Sequence, residues 1–161
     1  MSEREEVLDM AVHALTPLMR SRQQASAYDL FDEAVDISQK LIAKVDETVA
    51  RDAGGPPRDE LLGMGIHALS ALLNGRQSTS VDDLLDECME VAWALIASVD
   101  EAIAAGSSAA QRDELMDVAV HVQTALLSSR PKADAEELSA RCVAISEKLI
   151  AKVDEATAGG R

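Results

Sequence analysis

Residues 41–47 read LIAKVDE, residues 95–101 read LIASVDE, and residues 149–155 read LIAKVDE. Each copy begins 54 residues after the previous one, and the alignment extends outward along the whole chain without a gap. Thirteen positions are identical in all three copies; in the numbering of the first copy they are Arg4, Glu6, His13, Leu18, Arg22, Leu30, Leu41, Ile42, Ala43, Val45, Asp46, Glu47 and Ala50. Self-similarity of this kind indicates a repeat architecture. We therefore predict one domain over residues 1–161, with repeats at 1–55, 56–109 and 110–161.

Each repeat is predicted to contain two helices. In the first copy, helix A runs from about Glu3 to Arg20, and helix B begins after Ser26, whose side chain suits the N-cap position. The loop between them is short, and a short loop between helices produces an antiparallel pair. The predicted fold class is therefore all-α, with six helices in three tandem αα-hairpins.

Two arrangements of these hairpins fit the sequence. At 100° per residue, the apolar positions of helix A cover about 220° of its circumference, whereas those of helix B cover about 160°. A wider arc on helix A favours a closed six-helix bundle with pseudo-threefold symmetry, with the A helices inside and the B helices outside. The alternative is a short open α-hairpin solenoid, in which each repeat contacts only its neighbours.

The composition excludes several classes of function. The chain has 161 residues, only 2% of which are aromatic, and this disfavours an all-β fold. Its formal net charge of −14 would repel nucleic-acid phosphates and anionic lipids, so we expect no direct nucleic-acid or membrane partner. No apolar run approaches the roughly 18 residues of a membrane span, and no signal peptide is visible, so the expected location is the cytoplasm.

The repeated histidines are the first candidates for a chemical site. His13, His67 and His121 occupy equivalent positions, and three histidines are a known set of zinc ligands. On the helix A wheel they lie beyond the polar edge of the apolar arc. In a closed bundle they would point outward and away from one another, so a shared metal ion is not expected. They remain low-ranked metal candidates, and partly exposed structural histidines are the favoured interpretation.

Repeated charges and cysteines are interpreted as structural. Arg4 begins helix A and Glu47 lies near the end of helix B, so the hairpin should bring them together as an ion pair. Cys88 and Cys142 fall in the middle of the helix B apolar stripe, and a free cysteine there packs as a small apolar residue.

Five residues are candidates for contact with a partner. Trp93 lies on the margin of the helix B stripe, where it either wedges between hairpins or anchors an interface. Four acidic residues form rows along the exposed faces of the first two B helices: Asp32, Asp36, Asp86 and Glu90. A charged helix face is normally only solvated. The sharper hypothesis is that two adjacent acidic rows imitate a phosphate backbone.

No phosphate-binding loop, catalytic carboxylate pair or nucleophile–base pattern is visible, so no enzyme activity, catalytic residue or cofactor is predicted. The favoured function is a non-enzymatic helical-repeat scaffold or protein-interaction module, whose repeats arose by natural triplication or by engineering. The alternatives are an acidic decoy that inhibits a nucleic-acid-binding protein and a histidine-based metal-binding bundle. We expect the chain to be a monomer or a weak dimer with a protein partner.

Overall fold

A computed structural model of the protein describes residues 2–75, 79–106, 110–129 and 134–158. These residues form six α-helices: α1 (Glu3–Ser21), α2 (Ala27–Arg51), α3 (Arg58–Gly75), α4 (Val81–Ala104), α5 (Arg112–Ser129) and α6 (Ala135–Ala158). No residue in the described ranges belongs to a β-strand. The prediction of an all-α fold is confirmed.

The starts of the helices follow from side-chain caps. The Ser26 hydroxyl accepts a hydrogen bond from the Asp29 N–H, while the Asp29 carboxylate accepts one from the Ser26 N–H, so two of the N–H groups without a helical partner at the start of α2 are satisfied. Ser80 caps α4 in the same way by accepting from the Asp83 N–H at 3.2 Å. Asp134 accepts a backbone hydrogen bond at the start of α6. These polar residues therefore decide where the B helices begin.

The described helices lie in a row of two layers. In one layer, α3 packs between α1 and α5; in the other, α4 lies beside both α2 and α6. Contacts between α1 and α2, α3 and α4, and α5 and α6 join the layers. The largest side chains without solvent contact concentrate in the middle of the row and include Leu61, Leu69, Leu72 and Leu95.

The closed pseudo-threefold bundle is wrong for this chain. A closed bundle would bring α1 against α5, but within the described residues no Cα atom of α1 lies within 8 Å of one of α5. The wide apolar arc predicted for helix A is covered only in part in α1, where Leu8 and Val12 are exposed. In the middle of the row, α3 packs on its own B helix and on an A helix at either side, so it needs apolar side chains on three sides.

Neighbouring B helices are staggered along the row. Lys44, in the second half of α2, contacts Asp86 near the start of α4, with 2.7 Å between Nζ and Oδ1. Ser98 and Ser139 repeat this offset between α4 and α6, with 2.9 Å between their hydroxyl oxygens. The end of one B helix therefore lies against the beginning of the next.

Candidate functional site

The histidines form a row along the layer of A helices. The ring centroids of His13 and His67 are 5.8 Å apart, and those of His67 and His121 are 6.1 Å apart. The expectation that these rings point away from one another is wrong, because it assumed a closed bundle. In a row of parallel A helices, equivalent residues stand beside each other.

This row does not have the form of a metal centre. His13 and His121 each use Nδ1 to contact the backbone oxygen four residues earlier, at 2.8 and 2.7 Å. Their rings follow one another instead of converging on a point. In the parts of the chain that the structure describes, no group of three or more His, Cys, Asp or Glu side chains could hold a metal ion. The histidines therefore provide a polar strip that links adjacent repeats.

The central histidine should make stability depend on pH. Burial, together with the neighbouring His13 and His121, lowers the pKa of His67, although Asp9 and Asp117 oppose this shift. Folded His67 thus binds a proton less readily than unfolded His67. The contribution of neutral His67 to the free energy of unfolding is complete above the ordinary histidine pKa. The free energy of unfolding then falls as the pH drops through that value toward the lower pKa of folded His67. We expect His67→Gln to reduce the loss of unfolding free energy between pH 8 and pH 5.

Urea denaturation at a series of pH values measures this effect. His13→Gln, at one end of the same row, should have a smaller effect than His67→Gln, since it removes only one of the two histidines that lower the pKa of His67. A wild-type pH profile that His67→Gln leaves unchanged would contradict the prediction.

The two cysteines are buried, as predicted. The Cys88 thiol lies 2.8 Å from the Gly65 carbonyl oxygen, and burial raises its pKa to about 12. Burial likewise raises the pKa of Cys142 to about 11. A thiol with such a pKa stays protonated at neutral pH and is a poor nucleophile. Both side chains therefore act as small core residues.

A repeated arginine joins each repeat to the one before it. Arg58 donates two hydrogen bonds to the Glu6 carboxylate, at 2.6 and 2.8 Å, and a third to Asp46 at 2.5 Å. The predicted partner of this arginine position was Glu47 or its equivalent, which is wrong: Glu47 pairs with Arg51 in its own helix. Position 46, and not position 47, supplies the aspartate that binds this arginine at both junctions.

The equivalent arginine repeats this geometry at the second junction. Arg112 donates to Glu60 at 2.7 and 2.9 Å and to Asp100 at 2.5 Å. The same three repeat positions therefore form the contact at both junctions. These arginines act between repeats, whereas the sequence prediction placed the ion pair within one hairpin.

Lysines neutralise part of the predicted acidic rows. Asp36 pairs with Lys40 at 3.2 Å, and Asp86 pairs with Lys44 at 2.7 Å, which raises the pKa of Lys44. Asp32 lies exposed near the start of α2. A surface in which carboxylates alternate with ammonium groups resembles a phosphate backbone less than the sequence suggested.

Trp93 lies in a groove between α4 and α6. Its ring is partly buried and covers Gly55 so closely that a Cβ atom there would overlap the ring. Trp93 thus packs on the linker between repeats and also lines an open groove of about 720 Å³, while its role as an interface anchor stays a prediction.

The floor of this groove is small and uncharged, and its rim is acidic. Ala94, Ala97 and Ser98 of α4 face Ser139 and Ala140 of α6 across the floor. The charged residues that line the groove, among those the structure describes, are all carboxylates: Glu90, Glu101, Asp134 and Glu136. The groove therefore concentrates negative charge beside one aromatic ring.

Two substitutions distinguish this groove from its counterpart between α2 and α4. The positions of Lys40 and Lys44 in the first repeat are occupied by Ala94 and Ser98 in the second. In the first repeat, Lys44 spans the gap and neutralises Asp86. At the equivalent position Ser98 is uncharged and contacts Ser139 of α6, so the second repeat has no lysine there to neutralise the acids that line the groove.

Sequence reasoning identified Trp93 and Glu90 but missed the rest of this site. Asp134 and Glu136 come from another repeat, and their position opposite α4 depends on the stagger of the B helices. The loss of two lysines from the second copy was the signal that could have indicated it.

No protein-family model matches the chain, and no curated protein or solved structure shows significant similarity to it. Within the ranges that the structure describes, no helix combines the length and the apolar character needed to cross a bilayer. The groove between α4 and α6 is therefore the feature from which a function is inferred.

Proposed function

We propose that the chain is a non-enzymatic helical-repeat module that binds a basic segment of a protein partner in the groove between α4 and α6. The three 54-residue copies then act as αα-hairpin units of a short solenoid, an architecture suited to presenting extended binding surfaces. The single observation that carries the proposal is the uncharged floor of the groove, bordered by Trp93 and by acidic side chains.

The chemistry of the groove favours arginine and lysine side chains. An acidic rim attracts cations and speeds their encounter with the protein. The ring of Trp93 adds a cation–π contact, which favours arginine and lysine over neutral side chains. Small floor residues at Ala94 and Ala97 let a peptide backbone approach closely. A peptide with several basic residues therefore fits better than an acidic or purely apolar one.

The test measures binding of a fluorescein-labelled nonaarginine peptide. Trp93 is the only tryptophan of the chain, so its own emission reports occupancy of the groove. The test variant Ala94→Lys/Ser98→Lys gives the second repeat the lysines of the first. We expect it to weaken binding about tenfold or more, because it places two like charges on the floor. Wild-type Trp93 emission should change on binding.

A charge-matched control separates the groove from general attraction to an acidic protein. Ala43→Lys/Ala151→Lys adds the same two charges at exposed positions outside the groove. We expect this control to change affinity by no more than about twofold. If both variants weaken binding equally, or if Trp93 emission does not respond, the groove is not the binding site.

A further inference from the structure

The two ends of the row expose apolar side chains. The face of the first repeat, which we name the head face, presents Leu8, Val12, Met19, Phe31 and Val35. The face of the third repeat, which we name the tail face, presents Ile145, Leu149 and Val153. Contiguous exposed apolar side chains of this size indicate an interaction surface.

The head face corresponds to a surface that the other repeats bury. Leu8 is 54% exposed, whereas Leu62 and Met116, at the same repeat position, are each 5% exposed. Val35 is also exposed, but its equivalent Met89 is buried. The second and third repeats have a preceding repeat packed on this side. The head face is therefore one half of the junction that the chain forms internally.

The tail face is the other half of that junction. Leu149 is about half exposed, whereas the equivalent Leu41 and Leu95 are completely buried. Val153 is likewise half exposed, and its equivalents Val45 and Val99 are completely buried. Leu41 lies toward the next repeat, since its Cδ1 would be 3.5 Å from a Cβ atom on Gly65. The tail face thus presents the side chains that receive a following repeat.

The charges at the two ends are complementary in the same way. At each internal junction an arginine of one repeat binds a glutamate and an aspartate of the repeat before it. The corresponding arginine on the head face is Arg4, and the corresponding acids beside the tail face are Glu114 and Asp154. Among the described residues, none of these three side chains forms an ion pair. Arg4 at one end of the row and Glu114 and Asp154 at the other are therefore the residues that one more junction of this kind would pair.

A second ion pair between repeats also has equivalent residues at the two ends of the row. Lys44 of α2 binds Asp86 of the next B helix. The equivalent lysine at the tail is Lys152, and the equivalent aspartate at the head is Asp32. Asp32 is exposed, and Lys152 contacts Glu155 of its own helix at 3.9 Å. A tail packed on a head would bring Lys152 and Asp32 together.

We propose that copies of this chain associate head to tail, with the head face of one copy packed on the tail face of the next. The occupant of each apolar end face is then a second copy, held by the apolar positions and arginine ion pairs of both internal junctions and by the lysine–aspartate pair of the first. Such a contact is heterologous, so it leaves a free head and a free tail on every assembly and generates open chains. This inference goes beyond the proposed groove function and uses a different surface.

The test uses two variants that block one face each. Leu8→Glu places a charge on the head face, and Leu149→Glu places one on the tail face; both positions are about half exposed, so the fold should tolerate the change. Sedimentation velocity is measured from about 1 to about 300 μM chain, where weak interfaces dissociate. We expect wild type to form concentration-dependent oligomers and each variant alone to remain monomeric.

Mixing the variants tests the polarity of the contact. The Leu8→Glu chain keeps an intact tail and the Leu149→Glu chain keeps an intact head, so their mixture should form a one-to-one dimer and stop there. Asn74→Glu, on an exposed residue away from both faces, is the control and should oligomerise like wild type. If wild type stays monomeric over this range, or if either blocked variant still dimerises alone, the proposal is overturned.

A charge exchange gives an independent measurement. Arg4→Glu should raise the dissociation constant about tenfold or more, and addition of Glu114→Arg to the same chain should restore much of the affinity. No restoration would show that the head and tail do not meet in the internal register. Failure of these experiments leaves peptide binding at the groove unaffected, so the two proposals are tested separately.

Discussion

Replacing Leu95 with alanine is expected to lower the free energy of unfolding by about 2–5 kcal/mol, because the leucine is completely buried in the middle of the row and its truncation leaves a cavity. The same truncation at Leu149, the equivalent position of the third repeat, should lower it by less than about 1 kcal/mol, since that side chain is already 49% exposed. Urea denaturation at low chain concentration measures both values.

The comparison also tests the open arrangement. In a closed threefold bundle the two leucines would be equally covered, and their truncation would have similar effects. Nearly equal losses for Leu95→Ala and Leu149→Ala would therefore contradict the open row described above, whereas a difference of about 2 kcal/mol or more supports it.

Replacing Arg58 with methionine is expected to lower the free energy of unfolding by about 1–2 kcal/mol. Methionine retains an apolar stem but removes the hydrogen bonds to Glu6 and Asp46. The Glu6 side chain is mostly buried at the junction between repeats, so its carboxylate loses a charged partner without regaining full hydration. The matched control is Arg4→Met, at the equivalent position of the first repeat, which should change stability by no more than about 0.5 kcal/mol.

The pH dependence of this effect identifies its source. The hydrogen bonds from Arg58 lower the pKa of Glu6 below its ordinary value of 4.5. The resulting stability is present above pH 4.5 and is lost as the pH falls through the folded pKa. Thermal melts of wild type and Arg58→Met should therefore converge in acid. Equal effects of Arg58→Met and Arg4→Met at neutral pH would show that the ion pair does not stabilise the junction.

The positions of the helices along the chain could be predicted from the sequence. The apolar period and the cap at Ser26 predicted the first B helix, and the repeat predicted the remaining elements by equivalence. The order of the helices in space was harder to predict. The side-chain pattern of a helix records how much of its surface is covered, but α3 in a row and an inner helix of a closed bundle need the same wide coverage. The exposure of Leu8 and Leu149, together with the lack of contact between α1 and α5 within the described residues, separates the two arrangements.

The candidate site was predictable only in part. Trp93 stood out because no other repeat has an aromatic residue at its position. Its acidic partners across the groove were hidden, since they depend on which part of α6 lies beside α4. The same stagger explains why the acid at Asp86 pairs with a lysine of α2. The packing angle between two helices decides which residues of neighbouring repeats meet. The spacing of apolar residues along either helix does not fix that angle.

The position of α3 between α1 and α5 has a consequence for how the molecule opens. Within the described residues neither α1 nor α2 contacts α5 or α6, so these two pairs of helices are coupled through α3 and α4. We expect either terminal pair to open while the rest remains ordered, as in a one-dimensional array of coupled units. Opening of α3 and α4 would break both junctions, so their amide protons should be the last to exchange with solvent.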